Sequence, residues 1–236
     1  MKIYPDHIAF IMDGNCRWAK KYKYSTLDSY RCGLEIALDM VSYGIKLNIR
    51  NITLFALSSE NWKRPFGEVK CLLKLIEQYI IHLSVILFKK KACFLSIGSI
   101  EKFSINLQRE ISKLCIKTAL NRKIKITIAL SYGSHEEIIN AFKLILSKIR
   151  AKTYAITMIS NSLIEKFLYT HKTPAPDLLI RSSGEKRLSN FLLWQLAYAE
   201  LYTTSTLWPD FKRDTLNLAI SNYQSRRRRY GRLSRT

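Results

Sequence analysis

A stretch near the start of the chain, residues 7–20, carries side chains suited to holding a phosphorylated ligand. A short apolar run, residues 8–12, stops at Asp13-Gly14-Asn15, and Arg17 follows at once. This pattern indicates a buried strand, a glycine turn and the start of a helix. Such a turn directs backbone N–H groups at an anion, while Arg17 offers a bidentate donor and Asp13 a carboxylate for Mg²⁺ or a proton. An ordinary turn before a solvated helix gives the same short pattern, so the rest of the chain has to decide.

Two kinds of apolar segment alternate along the chain. Strand-like runs cover residues 8–12, 51–57, 92–98, 124–130, 177–181 and 200–202, and helical spacing covers 29–47, 66–90, 104–120, 135–150, 160–169 and a last segment from 211 into 226–229. Residues 187–202 predict a short helix before the final strand. Strands that alternate with helices predict an α/β fold, with a mostly parallel central sheet flanked by helices. The absence of a linker or repeat predicts one domain over residues 1–236.

The ends of the predicted strands bring polar side chains to one edge of the sheet. The strands end at Asp13, Ser58, Gly98, Ser131 and Arg181, and the loops add Glu60, Asn61, Arg64, Arg187 and Ser189. In open α/β sheets, ligands bind outside the carboxyl ends of the strands. Polar strand ends explain the serines, but they do not explain four converging arginines. A phosphate ester with a divalent cation accounts for both.

Composition and charge restrict the partners and the location. A net charge of +21 favours phosphorylated partners or an anionic membrane surface, although the lysines are spread along the chain. Five scattered cysteines without a Cys-x-x-Cys pair argue against a disulfide framework or a zinc site. No secretory signal is recognisable, which predicts a cytoplasmic protein, with contact at the inner face of the membrane through the basic run 226–229. No nucleic-acid-binding signature is present, and no nucleic-acid partner is expected.

Common phosphate-binding motifs are missing from the sequence. It contains no Gly-x-x-x-x-Gly-Lys-[Ser/Thr] and no Gly-x-Gly-x-x-Gly. These absences argue against a P-loop nucleotidase and against a dinucleotide site.

Four sequence blocks between residues 7 and 231 carry a family resemblance. They read HIAFIMDGNCRWAK, LSSENWKRP, DLLIRSSGEKRLSNFLLWQLAYAELY and LWPDF. In this order and spacing they resemble the signature blocks of the cis-prenyltransferases, specifically the bacterial undecaprenyl diphosphate synthases. The resemblance implies a homodimeric α/β enzyme with an apolar product tunnel. It also implies Mg²⁺-dependent transfer of isopentenyl diphosphate onto an allylic diphosphate, farnesyl diphosphate. The expected product has new cis double bonds and is undecaprenyl diphosphate, the lipid carrier precursor for cell-wall synthesis.

The resemblance also implies residue roles. Asp13 and Asn61 are the implied catalytic residues, and Asp13 with Glu200 the implied metal ligands. The implied substrate-binding residues lie on the first turn, on a loop that closes over the substrate and on the last loop: Gly14, Asn15, Arg17, Trp18, Ser58, Glu60, Trp62, Arg64, Arg181, Arg187 and Ser189. Of these, Arg181, Arg187 and Ser189 would bind the diphosphate of isopentenyl diphosphate.

The growing product needs apolar walls. The helical faces at 34–45 and 66–87, together with Leu54, Ala56 and Ile124, are expected to supply them, although ordinary core packing explains any one of these residues equally well.

The chain departs from the family pattern at several positions. Cys16 stands where glycine is usual, Thr26 replaces an arginine and Tyr30 replaces a histidine. Further departures are Ser99, Ser131, Ser134 and His135. A charge-assisted contact is worth ~1.5–3 kcal/mol, so these losses predict weaker substrate binding rather than an inactive enzyme. The alternative of a weak or inactive partner subunit stays open, although the intact Asp-Gly-Asn block favours catalysis.

Overall fold

The computed structural model describes residues 4–226 of the 236-residue chain. Its strands are β1 (His7–Ile11), β2 (Asn51–Phe55), β3 (Cys93–Ile97), β4 (Lys125–Ala129), β5 (Leu178–Arg181) and β6 (Glu200–Thr203). They form one sheet in the order β3-β4-β2-β1-β5-β6, and every neighbouring pair is parallel. The predicted α/β class with a mostly parallel sheet is confirmed.

Seven helices accompany the strands. They are α1 (Asn15–Tyr22), α2 (Thr26–Lys46), α3 (Phe66–Lys90), α4 (Ile105–Thr118), α5 (Ser134–Arg150), α6 (Asn161–Phe167) and α7 (Arg213–Ser225), all within residues 4–226. The short helix predicted after residue 187 was wrong, since that segment forms turns. Ser189, Asn190 and Leu192 all have positive φ angles, which no helix accommodates. The predicted continuation of the last helix over 227–229 lies outside the described residues.

Both faces of the sheet are covered, and successive side chains of each strand point alternately to one face and the other. Ile8 and Phe10 of β1 point into the main core, which also holds apolar residues of α2, α3, α4 and α7. Ala9 and Ile11 point the other way, toward Phe191 and neighbouring residues of the turns before β6. A third cluster joins α5 to α6. Each strand therefore buries both of its faces, as parallel sheets require.

The register of the strands defines two edges of the sheet. Ile11 lies opposite Phe55 and Arg181, at the carboxyl ends of three adjacent strands. We call this side the upper edge. The amino ends of the strands form the lower edge, where Leu178 lies opposite Glu200.

Helix α3 is long and apolar enough to cross a membrane by length and composition alone. Its inward face, however, is part of the main core, with Leu72, Ile76, Ile80, Leu83 and Leu87 buried. Packing of this kind is the ordinary role of a core helix. We therefore treat α3 as a core element.

Candidate active site

Asp13 stands at the centre of the upper edge, two residues after β1. The Arg181 guanidinium donates a hydrogen bond of 2.7 Å to its Oδ2 atom, and Arg17 lies 3.5 Å from Oδ1. Burial by itself would raise the pKa of Asp13, but the hydrogen bond and charge of Arg181, with the charge of Arg17, lower it below its usual value. Asp13 is therefore a carboxylate throughout the physiological pH range.

Arg181 is the most firmly held cation of the site. Its side chain is only 6% exposed and also donates to the Ser189 hydroxyl, at 2.8 Å, and to the Arg187 carbonyl. The Arg181 Nε atom is buried without a hydrogen-bond partner among the described residues. The fork of Arg181 thus joins β1 to the loop after β5 and leaves one donor uncommitted.

Two more arginines surround Glu185 nearby. Arg17 lies 3.2 Å from a Glu185 carboxylate oxygen, and Arg187 forms an ion pair with the same carboxylate. The Arg187 side chain is 64% exposed, so it is free to turn toward a ligand. With Asp13 and Arg181, this group has three cations against two anions. The surplus of positive charge favours an anionic ligand.

The start of α1 supplies neutral donors beside these arginines. Gly14 has φ = 106°, and a Cβ atom there would lie 2.9 Å from Leu207 Cδ2, so only glycine fits this turn. No side chain caps the helix, and its first N–H groups remain available to an anion. The Asn15 amide donates to the Met12 carbonyl at 3.2 Å, and its buried Oδ1 has no partner among the described residues. A bound ligand would meet an already oriented Asn15.

The loop after β2 closes the opposite side of the site. It forms a short 3₁₀ turn, Ser59–Lys63, in which Asn61 Oδ1 accepts the Ser58 N–H at 3.0 Å. Glu60 Oε1 accepts a 2.9 Å hydrogen bond from the Asn190 amide. Burial raises the pKa of Glu60, but the Asn190 hydrogen bond and others outweigh it and hold the pKa below its usual range. A second carboxylate therefore faces the mouth.

Tyr30 fixes the last arginine of the site. The Arg64 guanidinium donates to the Tyr30 hydroxyl and to Glu68 Oε1, both at 2.7 Å, and the Tyr30 hydroxyl donates to Glu68 at 2.9 Å. The Cys16 sulfur lies 3.4 Å from the same hydroxyl. Burial, followed by the Cys16 hydrogen bond, raises the pKa of Tyr30, which stays a neutral phenol. Tyr30, at the position where the resemblance implies a histidine, thus makes a polar contact with Arg64.

A cavity of about 660 Å³ lies beneath these groups. Its polar mouth contains eleven of the predicted residues: Asp13, Gly14, Asn15, Arg17, Ser58, Glu60, Asn61, Arg64, Arg181, Arg187 and Ser189. Its walls are apolar and include Leu34, Ala56, Leu72, Leu75 and Ile76. A cavity with a cationic mouth and apolar walls fits a molecule with a phosphorylated head and a hydrocarbon tail.

Of the three strand residues predicted as walls, two were wrong. Leu54 and Ile124 do not line the cavity, since both are buried in the core between sheet and helices. The predicted wall positions Leu34 and Ala56 do line it. Ala56 follows the end of β2 at the upper edge, whereas Leu54 lies within the strand and is fully buried in the main core.

The two predicted tryptophans lie beside the cavity rather than in its lining. The Trp18 indole donates to Asp210 at 2.7 Å and stacks on Tyr24. The Trp62 indole donates to Ser131 at 2.9 Å. Both indoles therefore hold neighbouring segments in place, and the structure gives neither a direct path to a ligand.

Glu200 requires a correction. It begins β6 and pairs with Leu178 at the lower edge, whereas Asp13 lies beyond the end of β1 at the upper edge. Glu200 lies three residues before the end of β6, which places it on the order of 10 Å below the upper edge. Because β6 is also two strands away from β1, a similar distance is added across the sheet. One chain therefore does not bring Asp13 and Glu200 to the same Mg²⁺. Glu200 instead accepts a 2.7 Å hydrogen bond from Arg226.

Of the two implied metal ligands, Asp13 is the one that lies at the mouth. No group of three or more metal-ligating side chains occurs within residues 4–226. Mg²⁺ commonly takes one or two carboxylates and completes its shell with waters and substrate phosphates. The residues present therefore fit a metal that arrives with a diphosphate, and Asp13 would hold it.

Several residues of the site escaped the sequence reasoning. The Ser182 hydroxyl donates to the Asp13 carbonyl at 2.7 Å, and the Ser183 hydroxyl accepts from Arg17 at 2.5 Å. Asn190 bridges Glu60 to the His135 N–H. Ser183, Asn190 and Ser131 all have positive φ, a strain that concentrates at functional sites. The sequence signal for these residues was limited to two turn-forming stretches, Ser182-Ser183-Gly184 and Ser189-Asn190.

Comparisons with known proteins agree with this geometry. A family model described as "Putative undecaprenyl diphosphate synthase" matches residues 11–231. An isoprenyl transferase of Clostridium tetani is 41% identical over 227 residues, which cover 96% of this chain and 89% of that protein. The ditrans,polycis-undecaprenyl-diphosphate synthase ((2E,6E)-farnesyl-diphosphate specific) of Haemophilus influenzae is 41% identical over 227 residues, covering 96% of this chain and 95% of that one.

Two solved structures share the fold. Lavandulyl diphosphate synthase from Lavandula x intermedia, in complex with dimethylallyl diphosphate, superposes with a TM-score of 0.94 at 32% identity, covering 97% of this chain and 98% of that one. A probable undecaprenyl diphosphate synthase from Campylobacter jejuni gives 0.80 at 28% identity, covering 98% and 100%. Fold and site thus define a prenyl diphosphate-binding transferase. The chain belongs to the undecaprenyl diphosphate synthase family of cis-prenyltransferases.

Proposed function

We propose that this protein condenses isopentenyl diphosphate units onto farnesyl diphosphate, with new cis double bonds, to give undecaprenyl diphosphate. The product would be the precursor of a lipid carrier for cell-wall synthesis. The observation that carries the proposal is the cavity whose mouth holds Asp13 and four arginines and whose walls are apolar. The printed names of the relatives support the choice of primer and product.

The mouth accounts for the ionisation of the primer. The diphosphate of farnesyl diphosphate would lie at the start of α1. Arg17 and free N–H groups there would stabilise the negative charge that develops on the diphosphate as its bond to carbon breaks. Isopentenyl diphosphate would sit against Arg181, Arg187 and Ser189. Leu72 and Ile76 of the walls would keep water from the allylic cation.

The remaining polar groups hold protons and charge in place. The lowered pKa values of Asp13 and Glu60 keep both carboxylates ionised, so that they can accept hydrogen bonds or hold a cation. Asp13 would hold Mg²⁺, and the charge of the bound ion would stabilise the diphosphate as it leaves. Arg64, anchored by Tyr30, would close the mouth from the loop after β2.

A prenyl-transfer assay tests the proposal. Radiolabelled isopentenyl diphosphate, farnesyl diphosphate and Mg²⁺ are incubated with the protein, and products are sized by reversed-phase chromatography. We expect a ladder that ends near eleven isoprene units and disappears with Asp13→Ala. A ladder that persists in that variant would contradict the role of Asp13, and shorter products would contradict undecaprenyl diphosphate.

The alternative of an inactive partner subunit is not favoured. An inactive relative has no need to keep Asp13 between two arginines or to replace a lost histidine with a tyrosine that holds Arg64. Absence of incorporation at every substrate concentration would restore this alternative and call for a second subunit.

We also propose that the protein is a homodimer. Ile139, Phe142 and Leu146 form an exposed apolar stripe on α5, with exposed fractions of 55, 42 and 51%. β6 is an edge strand of the sheet, and its Leu201 is exposed as well. A second copy of the chain would cover this surface. Light scattering should give twice the chain mass, and Phe142→Asp should shift it toward the monomer.

We place the enzyme in the cytoplasm, in peripheral contact with the inner face of the membrane. The surplus of 39 lysines and arginines over 18 acids supports contact with anionic lipids. Fractionation of cells that express the tagged protein tests this location.

A further inference from the structure

Three turns at the lower edge form one continuous surface. The Asn121 amide after α4 donates to the Ala92 carbonyl after α3, at 2.9 Å, which ties these two turns together. Lys123 then shares a small crevice with Asn48 and Arg50 of the turn after α2. The parallel sheet brings the carboxyl ends of these helices to one side, far from Asp13.

This surface is strongly and evenly basic. Its exposed cations are Lys46, Lys89, Lys90, Lys91, Lys117, Arg122 and Lys123. No aspartate or glutamate occurs between residues 78 and 100 or between 111 and 135, the two stretches that supply most of it. Within the described residues, none of these seven cations belongs to an ion pair. The chain thus concentrates uncompensated charge on this side.

Large apolar side chains stand among the cations. Leu120 is 85% exposed, Ile116 is 76% exposed and Phe88 is 47% exposed. Ile81 and Val85 continue the exposed face of α3 toward Phe88, at helical spacing. We call Phe88–Lys91, Ile116, Lys117, Leu120, Arg122 and Lys123 the basal patch. Exposed aliphatic side chains surrounded by lysine and arginine match the interface of an anionic bilayer.

We infer that the basal patch docks on the surface of an anionic phospholipid bilayer, with Leu120, Ile116 and Phe88 inserted at the level of the headgroups. Nucleic acid fits the patch less well, because Leu120 and Ile116 offer a phosphate backbone nothing and provide no stacking surface for bases. The inference deepens the membrane contact included in the proposed function and rests on it for its biological sense. It assigns that contact to a surface on the side of the sheet opposite the substrate mouth.

Vesicle co-sedimentation without substrates tests the inference. The full chain is mixed with vesicles of phosphatidylglycerol and phosphatidylcholine, or of phosphatidylcholine alone, at about 0.1 M salt. The basal variant carries Lys89→Gln, Lys90→Gln, Lys117→Gln and Lys123→Gln. A matched control removes four cations from α5 and α6, through Lys143→Gln, Lys148→Gln, Arg150→Gln and Lys166→Gln. We expect the basal variant to bind the anionic vesicles about tenfold or more weakly, and the control within about threefold of the parent.

An insertion variant separates lipid binding from simple charge attraction. Leu120→Ser with Ile116→Ser should weaken binding most at high salt, where the lysines are screened. Both side chains are so exposed that thermal unfolding should be unchanged. Equal losses in the basal and control variants, no preference for anionic vesicles, or tighter binding of duplex DNA that the basal variant abolishes would each overturn the inference.

Prenyl transfer in detergent, measured on the same variants, should match the parent. A chain that binds vesicles but makes no product would refute only the proposed function.

Discussion

The two edges of the sheet use positive charge in opposite ways. At the upper edge, each arginine of the mouth has a defined acceptor: Arg181 has Asp13 and Ser189, and Arg64 has Tyr30 and Glu68. At the lower edge, Lys89, Lys90 and their neighbours are exposed and, within residues 4–226, belong to no ion pair. The upper edge therefore has cations held in place by hydrogen bonds, whereas the lower edge has many cations close together without such partners among the described residues.

This difference indicates what each edge can recognise. A buried, doubly bonded guanidinium has a fixed direction, which suits a small ligand with defined oxygen positions. Exposed lysines supply a positive electrostatic potential without fixed hydrogen-bond directions, which suits a fluid surface of many anionic headgroups. Substitutions should therefore have large individual effects at the upper edge and small, cumulative effects at the lower edge.

The largest effect is expected at Arg181. In Arg181→Lys, a single ammonium group cannot bond Asp13, Ser189 and the Arg187 carbonyl together, and each lost hydrogen bond to a charged group costs about 1.5–3 kcal/mol. We expect kcat/KM for prenyl transfer to fall about 10²- to 10⁴-fold, measured by initial rates. Lys89→Gln is the control. A loss below tenfold in Arg181→Lys would break the distinction between the edges.

A second effect concerns His7, a buried titratable group near the lower edge. His7 is 2% exposed, with its ring nitrogens 2.7 Å from the Pro174 carbonyl and 2.8 Å from the Thr53 hydroxyl. Burial lowers its pKa from 6.5 to about 4. The unfolded chain therefore binds a proton below pH 6.5 that the folded chain takes up only near pH 4, so stability falls as pH drops through this range.

This loss should be measurable by urea unfolding. Between pH 7 and pH 4.5 we expect His7 to account for about 2–3 kcal/mol of lost unfolding free energy. His7→Gln should show a correspondingly shallower dependence on pH. Identical slopes for the variant and the parent would show that other groups cause the loss.

An intermediate effect is expected at Tyr30. Tyr30→Phe removes the hydroxyl that accepts from Arg64 and donates to Glu68. Each such bond is worth about 1 kcal/mol, so we expect KM for the allylic diphosphate to rise about 5- to 10-fold with little change in kcat. Tyr43→Phe, which removes a hydrogen bond to Asn217 far from the mouth, is the matched control. An unchanged KM in Tyr30→Phe would show that Arg64 needs no such anchor.

The smallest effect is expected from any single lysine of the basal patch. Lys90→Gln should change prenyl-transfer activity in detergent less than about twofold and unfolding free energy by less than about 0.5 kcal/mol, because the side chain is exposed and unpaired among the described residues. Only the combined vesicle-binding variant should show a large effect. A strong loss of activity from Lys90→Gln would show that the lower edge communicates with the site.

Much of the fold followed from local patterns. The bounds of α3, residues 66–90, agree with the apolar spacing at both ends, and every predicted strand is present within one or two residues of its observed ends. The segment after residue 187 was predicted less well. Its positive φ angles at Ser189, Asn190 and Leu192 depend on contacts with the rest of the site, which no short sequence window contains.

The site divides in the same way. Residue types and strand ends predicted the polar mouth, and eleven of its residues do meet there. The tunnel walls and the metal pair were predicted less well, because the packing of helices on the sheet buries Leu54 in the core and the parallel register sends Glu200 to the lower edge. Neither fact is visible without knowing which strands are neighbours.

The sequence by itself determined the order of strands and helices, the anion-binding turn at Asp13 and the excess of positive charge, because each depends on residue type and short-range periodicity. Only the tertiary structure decided which cation faces Asp13, since Arg181 lies 168 residues away and reaches it through the pairing of β1 with β5. Long-range packing likewise gave Tyr30 its role beside Arg64 and gathered the lysines of two separate turns into the basal patch.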